Sequence, residues 1–138
     1  MLAAYLKVGV QAQTDVEKIH QVIDQFIEGT TFNYPDKVLG TFYPNTPMFL
    51  YNRADTVYKV TAELYSSWYG RRAPGTRNGR IAKVLAVDVE RDIATAKVET
   101  LIPAWGDRFI DILLMKRIEG EWKIIAKAAT AAPIPKRP

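Results

Sequence analysis

Between residues 14 and 70 the apolar positions recur mainly at helical spacing, and from residue 80 onward they alternate, so the chain divides into a helical part and a strand part. The first helix is the best marked. TDVE at 14–17 is a capping-box pattern, and Val16, Ile19, Val22, Ile23, Phe26 and Ile27 then form one stripe before Gly29 stops the run. A second, short helix is expected from Asn33 or Tyr34, with Pro35 and Asp36 in its first turn. Val38, Leu39 and Phe42 are its apolar side, and Pro44 closes it. Residues 46–51 read as a short strand, after which Asp55 caps a third helix carrying Val57, Val60, Thr61, Leu64 and Trp68 as far as Gly70.

Four strand-like runs follow, at 80–89, 93–102, 108–118 and 122–129, joined by segments short enough for hairpins. Alternation is clearest in the last run, where Trp122, Ile124, Ala126 and Ala128 oppose Lys123, Ile125, Lys127 and Ala129. Helices first and a meander after them give an α+β domain, not a series of βαβ units. The helices are expected on one face of the sheet. The other face, with Lys83, Val87, Lys97, Glu99, Ile110, Ile112, Leu114 and Ile118 as its candidates, carries enough apolar residues for a second copy of the chain to cover it. Packing beneath the N-terminal segment is the alternative.

A length of 138 residues with 48% apolar content suits one domain with a real core. The expected layout is an extension at 1–13, a domain at 14–131 and a proline-rich loose tail at 132–138. No cysteine occurs, which excludes disulfides, thiolate catalysis and cysteine-bound zinc or iron-sulfur centres. The first ten residues are apolar but short, with Lys7 in their middle and no basic leader. They make a poor signal peptide and no membrane span, and a cytoplasmic protein is expected. The formal charge of +4 is unevenly placed: Arg71, Arg72, Arg77 and Arg80 fall within ten residues that contain no acid and surround APGT at 73–76. That loop is read as solvated, with an anion site as its alternative and nucleic acid as the last choice.

Asp111 interrupts the otherwise apolar strand face of Phe109, Leu113 and Met115. A carboxylate there must be hydrogen-bonded, paired or protonated. If the face lines a cavity, Asp111 can donate to a ligand oxygen or take a proton; otherwise it is tied to a neighbouring Arg, Tyr or Trp for structure alone. The sole histidine, His20, lies on the margin of the first helix's buried stripe and is the candidate base. Tyr51, Tyr65, Trp68 and Trp105, with Phe109 and Met115, are the candidate ligand-binding residues, and so many rings suit a flat apolar ligand. There is no glycine-rich phosphate loop, no histidine pair for zinc and no activated serine, so no metal or organic cofactor is called for.

Three segments carry a family resemblance: FIEG at 26–29, FYP at 42–44 and, above all, RFIDILLMKRIEGEWKIIAK at 108–127. Over residues 14–131 the chain resembles the nuclear transport factor 2-like superfamily, the group of ketosteroid isomerase and the SnoaL-type polyketide cyclases, and within it the putative lumazine-binding family. The resemblance implies a cystatin-like α+β fold: three N-terminal helices on a strongly curved, mostly antiparallel sheet that forms a cone with a pocket, commonly a homodimer. In ketosteroid isomerases the matching strand carries a protonated aspartic acid, here Asp111, which works with a tyrosine of the first helix. That tyrosine falls on Phe26, and the catalytic carboxylate base falls near Tyr51 or Asn52. Only one member of that constellation is therefore present.

The resulting expectation is a small-molecule-binding, SnoaL-like protein, with proton transfer, isomerisation or cyclisation on an aromatic or polycyclic carbonyl compound as its activity. Asp111 and His20 would carry that chemistry. The alternative is a non-catalytic dimeric binding module, in which Asp111 is salt-bridged and His20 points away from it.

Overall fold

The structure is a computed structural model and describes residues 13–136. Its elements, in chain order, are α1 (Asp15–Phe32), α2 (Pro35–Gly40), β1 (Pro47–Leu50), β2 (Tyr58–Thr61), α3 (Ala62–Ser67), a 3₁₀ turn (Trp68–Arg71), and four long strands. These are β3 (Ile81–Glu90), β4 (Ile93–Ile102), β5 (Asp107–Ile118) and β6 (Glu121–Pro133). The sheet is mixed, in the order β2-β1-β6-β5-β4-β3: β1 and β6 run parallel, the other described strand pairs are antiparallel, and Phe42 adds a parallel bridge to Ile124.

Helix α1 starts where the sequence places it: the Glu17 amide donates to Thr14 Oγ1 at 3.1 Å. It does not stop at Gly29. It continues to Phe32 and ends at Asn33, which adopts the left-handed conformation with φ 64° and sends its amide to the Gly29 carbonyl. Gly29 serves another purpose, because a β-carbon there would lie 2.7 Å from Val38 Cγ2 and 2.9 Å from the Val38 backbone nitrogen. The absence of that carbon lets α2 cross α1 closely.

The apolar stripe of Ile19, Ile23 and Phe26 is buried against the sheet. Each such side chain contributes roughly 1.5–3 kcal/mol. At its first turn α1 is fastened to the β5–β6 hairpin through Asp15, which accepts from the Trp122 indole at 3.0 Å and from Arg117 Nη1 at 2.8 Å. The indole hydrogen bond, with help from Arg117, holds the Asp15 carboxyl below the ordinary carboxylate value against a smaller opposing effect of burial.

Two expectations for the middle of the chain are corrected. Residues 58–61 are a strand paired with β1, not the first turns of a helix, and Val57 is exposed. The cap of α3 is Thr61, whose Oγ1 accepts from the Leu64 amide at 3.2 Å, so Asp55 caps nothing. Within α2, Leu39 is partly exposed while Val38 is buried.

In the second half, β3 to β6 lie close to their expected positions, but the ladder contains two bulges. Between β3 and β4 the register shifts at Leu85, and between β5 and β6 it shifts at Ile125. Each extra residue bends its strand and inverts the alternation beyond it. Val87 therefore packs on the inner face, opposite Ala96, instead of on the outer one. In β6, Trp122 and Ile124 point inward before the bulge, whereas Lys127 is the inward, buried residue after it. Strand β6 also runs to Pro133, and the Ile134 amide donates to the Gly106 carbonyl at 2.9 Å, so the start of the expected loose tail is tied down.

Candidate functional site

A cavity of about 420 Å³ opens between the inner face of β4, β5 and β6, the C-terminal end of α1, and the segment running from α3 into the arginine-rich loop. Its inner end is polar. Asp111 and Lys127 lie diagonally across the β5–β6 ladder, where Asp111 pairs with Ala129 and Leu113 with Lys127. Lys127 Nζ sits 3.1 Å from Asp111 Oδ1, and the two residues are 3% and 7% exposed. The partner of Asp111 is thus a lysine, not the Arg, Tyr or Trp expected from the sequence.

The ammonium of Lys127 also lies 5.0 Å from the centroid of the Tyr65 ring. Tyr65 and Tyr69 share a hydrogen bond of 2.8 Å between their hydroxyls. Burial pushes the Tyr65 phenol well above its ordinary value, reinforced by Tyr69 and Asp111, and burial likewise raises Tyr69. Both phenols stay neutral over the physiological range and act as hydrogen-bonding groups, not as bases.

Aromatic rings make the walls. Tyr65 meets Trp68 edge to face at 5.9 Å, and Phe109 meets both Tyr51 and Trp105 in the same manner at 6.4 and 6.3 Å. Of the candidates named from the sequence, Asp111, Tyr51, Tyr65, Trp68, Trp105 and Phe109 line this cavity. His20 and Met115 do not. Met115 is fully buried in the core on β5. His20 stands on α1 six residues before Phe26, the first α1 residue at the cavity, a separation of about 9 Å along the helix axis.

The arginine-rich loop forms the mouth and is anchored to the end of α1. Asn33 Nδ2 donates to the carbonyls of Ala73 and Thr76 at 3.0 and 2.9 Å, and its Oδ1 accepts from Asn78 Nδ2 at 2.9 Å. Asn78 Nδ2 also donates to the Thr30 carbonyl, and Asn78 Oδ1 accepts from the Arg80 amide. The loop is therefore not freely solvated. Arg71, Arg72 and Arg80 reach the cavity, and the Arg80 guanidinium stacks over Tyr69 at 5.2 Å and Trp105 at 5.9 Å. Arg77 turns elsewhere, over Phe32 at 5.1 Å.

Three groups escaped the sequence reading. Lys127 falls opposite Trp122 and Ile124 in a strict alternation, because the bulge that brings it to their face leaves no mark on the hydrophobic pattern. Asn33 carried a usable signal, since asparagine is a common left-handed terminator of helices. Asn78 carried none.

Among the described residues Asp111 is the only carboxylate lining the cavity, and no histidine lines it. The arrangement can bind, orient and donate hydrogen bonds. It offers no second carboxylate and no histidine beside Asp111; the neighbouring titratable group is Lys127, already paired with it. Among the described residues no helix is long and apolar enough to cross a membrane.

A helical cover on a curved, unclosed mixed sheet of this order is the architecture of nuclear transport factor 2-like proteins. A family model described as "Putative lumazine-binding" matches residues 14–128, and the chain belongs to that family. Among solved structures, an NTF2-like protein of unknown function from Shewanella baltica OS155 superposes with a TM-score of 0.74 at 18% identity, covering 89% of this chain and 100% of that one. A second, from Silicibacter pomeroyi DSS-3, gives 0.73 at 17% identity, covering 85% and 95%. A cystatin-like fold protein from Burkholderia xenovorans LB400 gives 0.66 at 18% identity, covering 87% and 93%. At these identities the likeness is one of fold alone. No curated protein matches the chain.

Proposed function

We propose that this protein is a non-catalytic small-molecule-binding module that holds a flat aromatic ligand in the cavity beside Asp111. The observation that carries this reading is the Asp111–Lys127 ion pair. A carboxylate already engaged by an ammonium, with no second carboxylate or histidine along the cavity, is suited to anchoring a polar group of a ligand and poorly suited to abstracting a proton. The aromatic walls favour planar ligands, and the family description makes lumazine, a flat bicyclic heteroaromatic, a reasonable probe.

Titration with lumazine and a panel of bicyclic aryl ketones, followed by tryptophan fluorescence, tests the reading. At least one member should bind saturably, and Ala129→Phe, which fills the space beside Asp111, should abolish that binding. Absence of saturable binding across the panel, or binding indifferent to the substitution, rejects it. Enzymatic turnover of an aryl ketone that is lost in Asp111→Asn would instead favour the proton-transfer alternative.

The same reading includes a homodimer formed through the outer sheet face. Leu85, Ile112 and Leu114 are each about 40% exposed there. The face also carries Lys83 and Lys97 alongside Glu99, so charges of both signs are available for self-association about a two-fold axis. Sedimentation should find a dimer in the parent protein and a monomer in Ile112→Lys. A monomeric parent at high concentration would remove this part of the proposal.

A further inference from the structure

The charge of the cavity is lopsided. Arg71, Arg72, Arg80 and Lys127 line it against the single carboxylate of Asp111, and Lys127 already neutralises that carboxylate. Among the described residues none of the three arginines has an acidic partner within 4.0 Å. The cavity therefore presents three uncompensated cations.

Arg80 is the best placed of them. Its backbone is fixed by the Asn78 side chain one residue before β3 begins, and it is half-buried. The Arg80 guanidinium carbon lies 5.2 Å from the centroid of the Tyr69 ring and 5.9 Å from that of Trp105, and no side-chain acceptor engages its N–H groups among the described residues. A guanidinium held beside two rings with its N–H groups free matches a carboxylate in bidentate fashion, and partial burial strengthens the pairing. Arg71 and Arg72, exposed at the mouth, add a long-range attraction for anions.

We propose that the ligand of this cavity is a planar aromatic acid, its carboxylate held by the Arg80 guanidinium and its ring against the walls formed by Trp68, Trp105 and Phe109. The proposal rests on the reading of the cavity as a ligand pocket, and it adds the charge of the ligand and the residue that selects it.

Naphthoate and its neutral isostere naphthamide, titrated by calorimetry into the full-length protein at neutral pH, separate the two claims. The acid should bind roughly tenfold or more tightly than the amide, the worth of one charge-assisted contact. Added salt should weaken the acid alone. In Arg80→Gln, with an unchanged thermal midpoint as the folding control, the preference should vanish while amide binding persists. Equal binding of acid and amide to the parent protein overturns the charge inference and leaves the pocket standing. Preference retained in Arg80→Gln overturns the assignment to Arg80. If neither compound binds while lumazine or an aryl ketone does, this inference alone is overturned; failure of all of them removes the pocket reading with it. The parent comparison decides even if the variant does not fold.

Discussion

Replacing Lys127 with methionine is expected to destabilise the protein by about 3 kcal/mol, far more than the loss of a surface charge would. Methionine keeps most of the lysine stem, so packing against Tyr65 and Leu113 changes little. What is lost is the ammonium 3.1 Å from Asp111, a residue only 7% exposed. Breaking a buried pair by removing one partner leaves a desolvated charge, and the cost lies at the lower end of the range for such changes because the pair borders a cavity that water enters. The double variant Lys127→Met with Asp111→Asn should recover most of the loss, since no uncompensated charge remains. Urea denaturation of the parent, the two single variants and the double variant completes the cycle. A Lys127→Met protein within about 0.5 kcal/mol of the parent would mean that the pair is solvated and that the inner end of the cavity is not the polar anchor described above.

Substituting Asn33 with alanine should cost about 2–4 kcal/mol, from two separable sources. The side chain is 2% exposed and donates to two loop carbonyls while accepting from Asn78; without it each of those three groups loses one hydrogen bond. The backbone sits at φ 64°, where alanine is strained. Asn33→Gly relieves the strain but not the lost hydrogen bonds, so it should regain about 1 kcal/mol and no more. Both variants should make the segment from Arg71 to Arg80 more sensitive to trypsin, because Asn33 supplies three of the bonds that tie that loop to α1, beside those of Gly75 and Asn78 to the carbonyls of residues 30–32. An Asn33→Ala protein as stable and as protease-resistant as the parent would show that the loop is held by other means.

The fold was legible in the sequence wherever one local signal sufficed. Thr14 and Glu17 start α1 as their spacing dictates, and the long strands alternate strongly enough that all four begin within one residue of expectation. The errors have physical causes. Val57, Val60, Thr61 and Leu64 fit a helical stripe, yet four residues of that run gain more from pairing with β1, and helix nucleation waits for the better cap at Thr61. The bulge at Ile125 is decided by how β5 and β6 fit together across the sheet, so a strict period of two sets Lys127 opposite Trp122 and Ile124, whose face it shares. At the site, the aromatic wall and Asp111 were visible because they interrupt or decorate a pattern. The Asn33–Asn78 clasp joins residues 45 positions apart and has no pattern to interrupt.

The parallel pairing of β1 with β6 bears on how this domain folds. Strand β1 docks on residues 127 and 128, so the first strand synthesised waits for the last one. The consecutive hairpins of β3 to β6 close over short loops, whereas β1 reaches its place only once residues 127 and 128 are present, about eighty positions later in the chain. Until then Met48 and Val60, buried in the folded domain, lack the neighbouring β6 edge, and the β1–β2 hairpin is an apolar segment exposed to unwanted association.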